Sequence, residues 1–410
     1  MNLSSQLTSE ALKTLRYIFF HPDATRLELI DWLQASHLTV SKVIRHLEES
    51  QLIHRSGKIQ GESGRPSTTY RIVKSAGTAL GVHLDFNKIR FVLIDAFSDL
   101  VQEWITDCAF NELDGWEEKR YIDLLESSIR DGLGKIRQSG QSMPQTIGIS
   151  LPGMVDSENG IWVSGLQLQG IRNIPLQREL QTRLEIPVFI EDNARSLIVM
   201  EKIRRAARGY TNIILLYLGI GMGTGIVIND QIIRGFHGTA GEIGHIPHGN
   251  SKYRCSCGNI GCFETVVSPS GILRIFSDRL GENVSSRLQR YRKADGSGYN
   301  LTLESILEAA KEGDHLTIRT LAEIGAYIGD ACDILIKLFN PEILIITGLS
   351  SIFSEYLKRT VESTISIKIA PEISEDFKIV FSDYQPNFEA WGVAMVSINE
   401  LLKREIWKRK

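Results

Sequence analysis

The 410-residue chain holds only five cysteines, an odd number, and three of them crowd into the stretch from Cys255 to Cys262. A fold built on disulfides needs more, and in pairs, so that basis is excluded; crowded thiols in a cytoplasmic chain point instead to a metal. No run of 18 apolar residues is free of polar breaks, which argues against a membrane-spanning helix. The nearest case, Ile213 to Ile228, is interrupted by Gly219, Gly221, Gly223 and Gly225. The first residues lack the basic, apolar, small-residue order of a secretory signal, so a cytoplasmic location is expected. An excess of one charge is also missing: 46 Lys and Arg stand against 49 Asp and Glu. That excludes a uniformly basic nucleic-acid coat protein and leaves room for one basic domain. With 42% hydrophobic and 23% charged residues, the chain is neither disordered nor collagen-like, and its length predicts two or three domains.

The charge that is present is unevenly placed. Residues 1–75 carry ten Lys and Arg against seven Asp and Glu, a small basic head on an acidic body. Its apolar residues recur at helical spacing. Leu12, Leu15, Ile18 and Phe19 form one face, and Pro22-Asp23 breaks the helix. Leu27, Leu29, Ile30 and Leu33 form a second helix capped by Thr25. Leu38, Val40, Val43, Ile44 and Leu47 form a third, capped by Thr39 or Ser41. A hairpin punctuated by Gly57, Gly61, Gly64 and Pro66 follows. Three short helices and a hairpin outline a winged helix-turn-helix, which binds duplex DNA by placing its third helix in the major groove. Thr39, Ser41, Lys42, Arg45 and His46 are then the candidates to reach DNA. The wing adds Arg55, Lys58 and Arg65; the extended Gly64-Arg65-Pro66 suits a narrow A·T minor groove, so A·T-rich half-sites are expected. The competing reading is a three-helix protein-contact domain, or a helical cap on an enzyme. Residues 73–78 read as a short linker.

Beyond the linker, strands and helices alternate, which predicts an α/β body of two lobes with a cleft between them. Strands are expected over Thr146–Ser150, Ile186–Ile190, Ile213–Tyr217 and Pro341–Thr347. Helices are expected over Trp116–Ser139, from 193 to 206, as a pair from 301 to 339, and at the close through Leu402. The stretch from Leu288 to Asn300 reads as a mobile insertion, and Cys108 and Cys332 as packed thiols.

The sharpest pattern is Gly241-Glu242-Ile243-Gly244-His245 followed by Cys255-Ser256-Cys257-Gly258-Asn259-Ile260-Gly261-Cys262-Phe263-Glu264. His245 with Cys255, Cys257 and Cys262 is the N/S donor set that zinc prefers, and with four protein donors the site is structural, with no position left for a reacting water. His248 is a rival fourth ligand, and three free thiols are the alternative.

These blocks together resemble the ROK group of sugar kinases and repressors, over about residues 79 to 400. The winged helix in front looks like its repressor branch, to which the xylose and N-acetylglucosamine repressors belong. The resemblance implies a sugar-kinase-like (actin-like ATPase) body: one lobe over 79–205 joined by the closing helix at 385–410, and a second over 206–384 with the zinc loop. It implies that Glu242, His245 and Glu264 bond sugar hydroxyls, with one ring nitrogen of His245 on zinc. It adds Asp192 and Asn193 at a strand end and Gln167 as further sugar contacts.

Two departures from the kinase pattern bear on activity. Asn193 stands where the kinases carry the Asp that acts as general base, and an amide cannot take that proton. The first phosphate loop reads His83-Leu84-Asp85-Phe86-Asn87, so Asp85 and Phe86 replace the glycines that admit phosphate. The glycines near the expected adenosine side are thinned to Thr347-Gly348-Leu349-Ser350. The expectation is therefore no enzyme activity. The chain is expected to be a homodimeric repressor of carbohydrate genes that binds an inverted-repeat operator and is released by a sugar or sugar derivative. A sugar kinase is the first alternative. The second is a regulator controlled by a protein partner, for which the basic tail from Lys403 to Lys410 could serve.

Overall fold

The protein is described from a computed structural model over residues 7–60, 66–85, 87–108, 118–165, 168–248, 251–281, 284–348, 353–370 and 377–403. It divides into two compact units, residues 1–209 with 386–410, and residues 210–385. The expected lobe boundaries stood at 205/206 and 384/385. The basic head is not a unit of its own; it belongs to the first.

In the head, α1 (Ser9–Phe20) buries Leu12, Leu15, Ile18 and Phe19, and Thr8 caps it. The two-residue strand β1 (Ala24–Thr25) leads into α2 (Arg26–Leu33). Thr25 and Glu28 form a reciprocal capping box there, which satisfies two otherwise unpaired N–H groups. The third helix, α3 (His37–Glu49), begins earlier than its apolar pattern implied. Its cap is Ser36, whose Oγ accepts from the Thr39 N–H at 3.2 Å, so neither Thr39 nor Ser41 caps it. The strands β2 (Ile53–Gln60) and β3 (Pro66–Ile72) pair antiparallel, with β1 on the far edge of β3. Residues 73–78 are not a free linker. Lys74–Ala76 forms a 3-10 turn, Ala76 is buried, and the Lys74 carbonyl accepts from Ala96 N.

The rest of the first unit is a five-stranded sheet of β4 (Thr78–Leu84), β5 (Lys88–Asp95), β6 (Leu100–Asp107), β7 (Thr146–Leu151) and β11 (Val188–Asp192), in the order β11-β7-β4-β5-β6. Strands β4, β7 and β11 run parallel. Between β7 and β11 lie three short antiparallel strands, β8 (Met154–Asp156), β9 (Ile161–Gly165) and β10 (Leu168–Ile174). Their Trp162 is fully buried and donates from Nε1 to the Pro152 carbonyl at 2.9 Å. Side chains alternate across a strand. Leu80, Val82 and Leu84 therefore pack under α4 (Glu118–Gln138) and α5 (Leu176–Leu184), whereas Gly81 turns to the opposite face. There the closing helix (Phe388–Lys403) lies so close that a Cβ on Gly81 would stand 1.7 Å from the Ala390 carbonyl oxygen, and one on Gly148 2.1 Å from that of Val393. Next to it runs α6 (Asn193–Arg204), whose Ser196 carbonyl would meet a Cβ on Gly392 at 1.9 Å.

The second unit carries β12 (Ile213–Leu218), β13 (Met222–Ile228), β14 (Gln231–Ile232), β15 (Ile343–Gly348) and β16 (Lys378–Phe381), in the order β14-β13-β12-β15-β16. Helices α7 (Glu264–Val267), α8 (Pro269–Gly281), α9 (Leu303–Lys311), α10 (His315–Phe339) and α11 (Ser354–Lys368) share its apolar core. The stretch from Leu288 to Asn300 is tied down, contrary to its polar composition. Leu288 is fully buried, and the Tyr299 hydroxyl donates to Gln289 at 2.8 Å. Cys108 and Cys332 are buried, as expected of packed thiols. No helix among the described residues is long and apolar enough to cross a membrane.

Candidate functional site

In the second unit the glycines have a specific task. β12 and β13 form a hairpin, and the segment Gly241–His245 lies against β13. Gly241 sits at φ +97°, and a Cβ there would be 2.4 Å from the Thr224 carbonyl oxygen. A Cβ on Gly244 would be 2.3 Å from that of Met222. Two backbones thus touch, which only glycine permits. Glu264 opens α7, and its Oε2 accepts from the Met222 N–H at 3.2 Å. Gly221 leaves the room for that carboxylate, since a Cβ there would lie 2.4 Å from Oε2. Glu242, His245 and Glu264 are in this way gathered around one strand end.

His245, Cys255, Cys257 and Cys262 offer ligand atoms that all lie within 4.8 Å of one another. His245 Nδ1 is 3.3 Å from the Cys255 sulfur, and the Cys257 and Cys262 sulfurs are 3.7 Å apart. That separation is far beyond a disulfide bond of about 2.05 Å. It matches the edge of a tetrahedron with metal–sulfur bonds of about 2.3 Å. Burial, and then the neighbouring Cys257 and Cys255, push the Cys262 thiol up to about 12. A cation among the three sulfurs would reverse that cost. The cluster can therefore hold a metal. Its geometry also assigns the imidazole: Nδ1 faces the thiols, while Nε2 is 3.8 Å from a Glu242 carboxylate oxygen. His248 is occupied elsewhere. Its Nε2 lies 2.9 Å from Asp330 and its ring stacks on Phe263.

In the first unit, the carboxyl ends of the parallel strands collect the remaining candidates, the edge where α/β sheets bind ligands. Asn193 is the first residue of α6, and its Oδ1 accepts from the Ser150 hydroxyl at 2.7 Å. Asp192 caps the same helix through Oδ1, and its Oδ2 lies 2.5 Å from the Arg195 guanidinium. Both carboxylate oxygens are thus engaged with Arg195, which also pairs with the buried Glu191 at 2.6 Å. Glu201 serves the other end of α6, accepting from the Ala206 N–H. Ser150 and Arg195 organise this strand end, and nothing in their local sequence marked them. In the loop after β4, Asp85 stands 3.7 Å from Arg90, so this carboxylate is paired across the hairpin. His83 is buried, with Nδ1 4.0 Å from Glu389 of the closing helix. Gln167, Phe86, Leu349 and Ser350 lie outside the described residues, as does Arg65.

On α3 of the head, Thr39, Lys42 and Arg45 are exposed, and Ser41 and His46 are half-buried. Lys42 and Arg45 have no ion-pair partner among the described residues, whereas Arg55 of the hairpin is held by Glu48 at 2.8 Å. Helical spacing puts Thr39, Lys42 and Arg45 on one outward stripe.

The family model of the ROK family matches residues 92–398. The xylose repressor of Caldicellulosiruptor bescii is 26% identical over 95% of this chain and 96% of its own length. A glucokinase of Halalkalibacterium halodurans is 29% identical over 73% of this chain and 89% of its own length. Among solved structures, a ROK family transcriptional regulator homologous to the Escherichia coli Mlc protein aligns with a TM-score of 0.79 at 26% identity, over 97% of this chain and 98% of its own. The repressor and the regulator align along nearly the whole chain, head included, while the glucokinase aligns with about three quarters of it. By the match of its body and by the glycine hairpin, the Gly-Glu-x-Gly-His segment and the cysteine loop that this body positions, the chain belongs to the ROK family.

Proposed function

We propose that the chain is a DNA-binding transcriptional repressor of carbohydrate-metabolism genes, released from its operator when a sugar or sugar derivative binds. The observation that carries this reading is the extent of the relatives: a repressor accounts for the head as well as the body, and a kinase for the body alone. The head acts as a winged helix-turn-helix with α3 in the major groove, and a homodimer presents two heads to an inverted repeat. On the second unit, Glu242, His245 and Glu264 bond sugar hydroxyls; on the first, Asn193 is a sugar contact, and Asp192 fixes its place by capping α6. A zinc ion on His245, Cys255, Cys257 and Cys262 is structural. It fixes the tautomer of His245, so that Nε2 and the carboxylates face the hydroxyls.

Catalysis is not part of the reading. The residue at the base position is an amide already bonded to Ser150, and the adjacent carboxylate is committed to Arg195. A positioned base contributes typically 10²–10⁴-fold, so phosphoryl transfer would lack its main driving group.

The test is fluorescence anisotropy of the full-length protein on DNA from upstream of its own gene, at two salt concentrations, with and without a panel of sugars and their phosphates. Binding that weakens with salt and is released by one sugar supports the reading. ATP consumption with any hexose would instead favour a kinase. Lys42→Ala and Arg45→Ala each serve as a finer check. Where the native side chain meets a phosphate, its removal should weaken binding evenly across sequences and lower the salt slope by about 1. Where it meets a base edge, removal should relax specificity at one position.

A further inference from the structure

The head and the body of the first unit meet in two ways. The first is apolar and without direction: Leu15, Leu52 and Ile72 of the head face Ala96, Ile398 and Leu402 across a small gap. The second is a charged joint. Asp23, in the break after α1, takes a two-pronged ion pair from Arg71 of β3 and a hydrogen bond from Ser56 of β2 at 2.6 Å. Arg208, just past α6, lies 3.9 Å from the same Asp23. Arg204, the last residue of α6, reaches Asp99 at 2.7 Å, and Lys74 also pairs with Asp99. The Phe97 ring sits among these cations, 5.5 Å from Arg71 and 5.9 Å from both Lys74 and Arg204.

The joint is built on the body's stiffest parts. α6 spans about 18 Å from Asn193 to Arg204 at the usual rise. Its residues from Ala194 to Ile203 are buried. The closing helix is locked to it at Gly392 and Ser196, and holds the head again where Arg16 donates to Asn399 at 2.8 Å. The helix that starts at Asn193 therefore ends at Arg204, which holds Asp99 beside Lys74 of the segment joining head and body, and Arg208 just beyond it reaches Asp23 of the head. An apolar seam alone would let the head rotate; the Arg208–Asp23 pair and Arg71 over the Phe97 ring cross the boundary and fix an angle. The pairs are partly exposed, so each is weak by itself and the joint as a whole can be undone.

We infer that this joint, Asp23, Arg71, Phe97, Asp99, Arg204 and Arg208, sets the angle of the DNA-binding head and carries ligand binding to it. The inference rests on the DNA-binding reading above. These are positioning residues: they touch neither sugar nor DNA, yet an effect of the ligand on the lobe that carries Asn193 reaches the head only while they hold.

The experiment compares wild-type, R204A/R208A and R204K/R208K full-length protein. Three quantities are measured: sugar affinity by calorimetry, DNA affinity by anisotropy with and without the releasing sugar, and amide hydrogen exchange. Wild-type protein should show release of roughly 5–150-fold, the usual range of coupling. In R204A/R208A that ratio should fall to within about twofold of unity, with sugar affinity kept, and the lysine variant should restore it. Amides of β2 and β3 should exchange about tenfold faster in R204A/R208A, with β4 and β7 unchanged. Asp23→Asn, which keeps the side chain's shape, should give the same pattern if the double variant folds poorly. Full release retained in R204A/R208A overturns the inference. If the wild-type protein binds DNA but answers no sugar, or binds no DNA, the functional reading fails by itself. Hydrogen exchange then decides the joint, and equal exchange in the two proteins overturns it.

Discussion

Protein stripped by a strong chelator, or carrying Cys262→Ser, is expected to lose one bound zinc per chain and with it sugar binding, while the head still binds DNA. Cys262 is fully buried and shares the metal site with His245, which faces Glu242 through its other ring nitrogen. The cysteine loop also runs directly into Phe263 and Glu264, and its backbone is stitched to the histidine segment: Phe263 N donates to the Ile246 carbonyl and His248 N to that of Gly261. Losing the metal would therefore free together the three groups proposed to hold the sugar. Structural zinc supplies on the order of 10 kcal/mol of apparent binding energy, far more than any single hydrogen bond nearby. Sugar affinity should fall by roughly 100-fold or more, as judged from the 10–100-fold losses when only an outer partner of a metal ligand is removed. The measurements are metal content by mass spectrometry, sugar affinity by calorimetry and DNA affinity by anisotropy. Metal-free protein with unchanged sugar affinity would show that the cluster does not organise the site.

The second large effect is expected from Gly392→Ala. The new methyl would stand 1.9 Å from the Ser196 carbonyl oxygen, and that oxygen belongs to a helix backbone that cannot turn aside. The closing helix is pinned on its other side by Gly81 and Gly148, so it cannot retreat either. Overpacking of this kind costs about 1–3 kcal/mol and at times more. For a unit of this size, that is a fall in Tm of roughly 2–12 °C. Gly134→Ala is the control. It lies inside α4 with nothing within 4 Å of an added Cβ, so the change should stabilise by about 0.5–1 kcal/mol through helix propensity. Thermal denaturation of both variants checks the pair. Equal behaviour would mean that the packing of the closing helix on α6 opens easily, which would also weaken the case for a stiff connection from Asn193 to the head.

Much of the body was legible because its signals are local. A buried parallel strand such as Ile343–Gly348 is a continuous apolar run, and α10 repeats its apolar residues at helical spacing. The histidine and cysteine positions were legible because metal ligands must be particular residue types at short spacing. The small strands β8, β9 and β10 carried no such pattern, being short and interrupted by turns at Gly153 and Gly160. The cap of α3 was misplaced for a related reason. Ser36, Thr39 and Ser41 are chemically alike, and only the backbone path shows which hydroxyl meets an unpaired N–H.

By itself, then, the sequence determined the α/β class, the basic head and the donor set of the His/Cys cluster, because residue type and periodicity carry each of these. Only the tertiary structure decided that Asp192 is committed to Arg195, that Asp85 is paired with Arg90, that His248 belongs to Asp330, and that the linker is packed. It alone joined Asp23 to Arg208 and Asp99 to Arg204. The reason is physical: whether a charge is free or paired depends on a few ångströms between residues far apart in the chain, and Coulomb and hydrogen-bond energies fall off over that same distance.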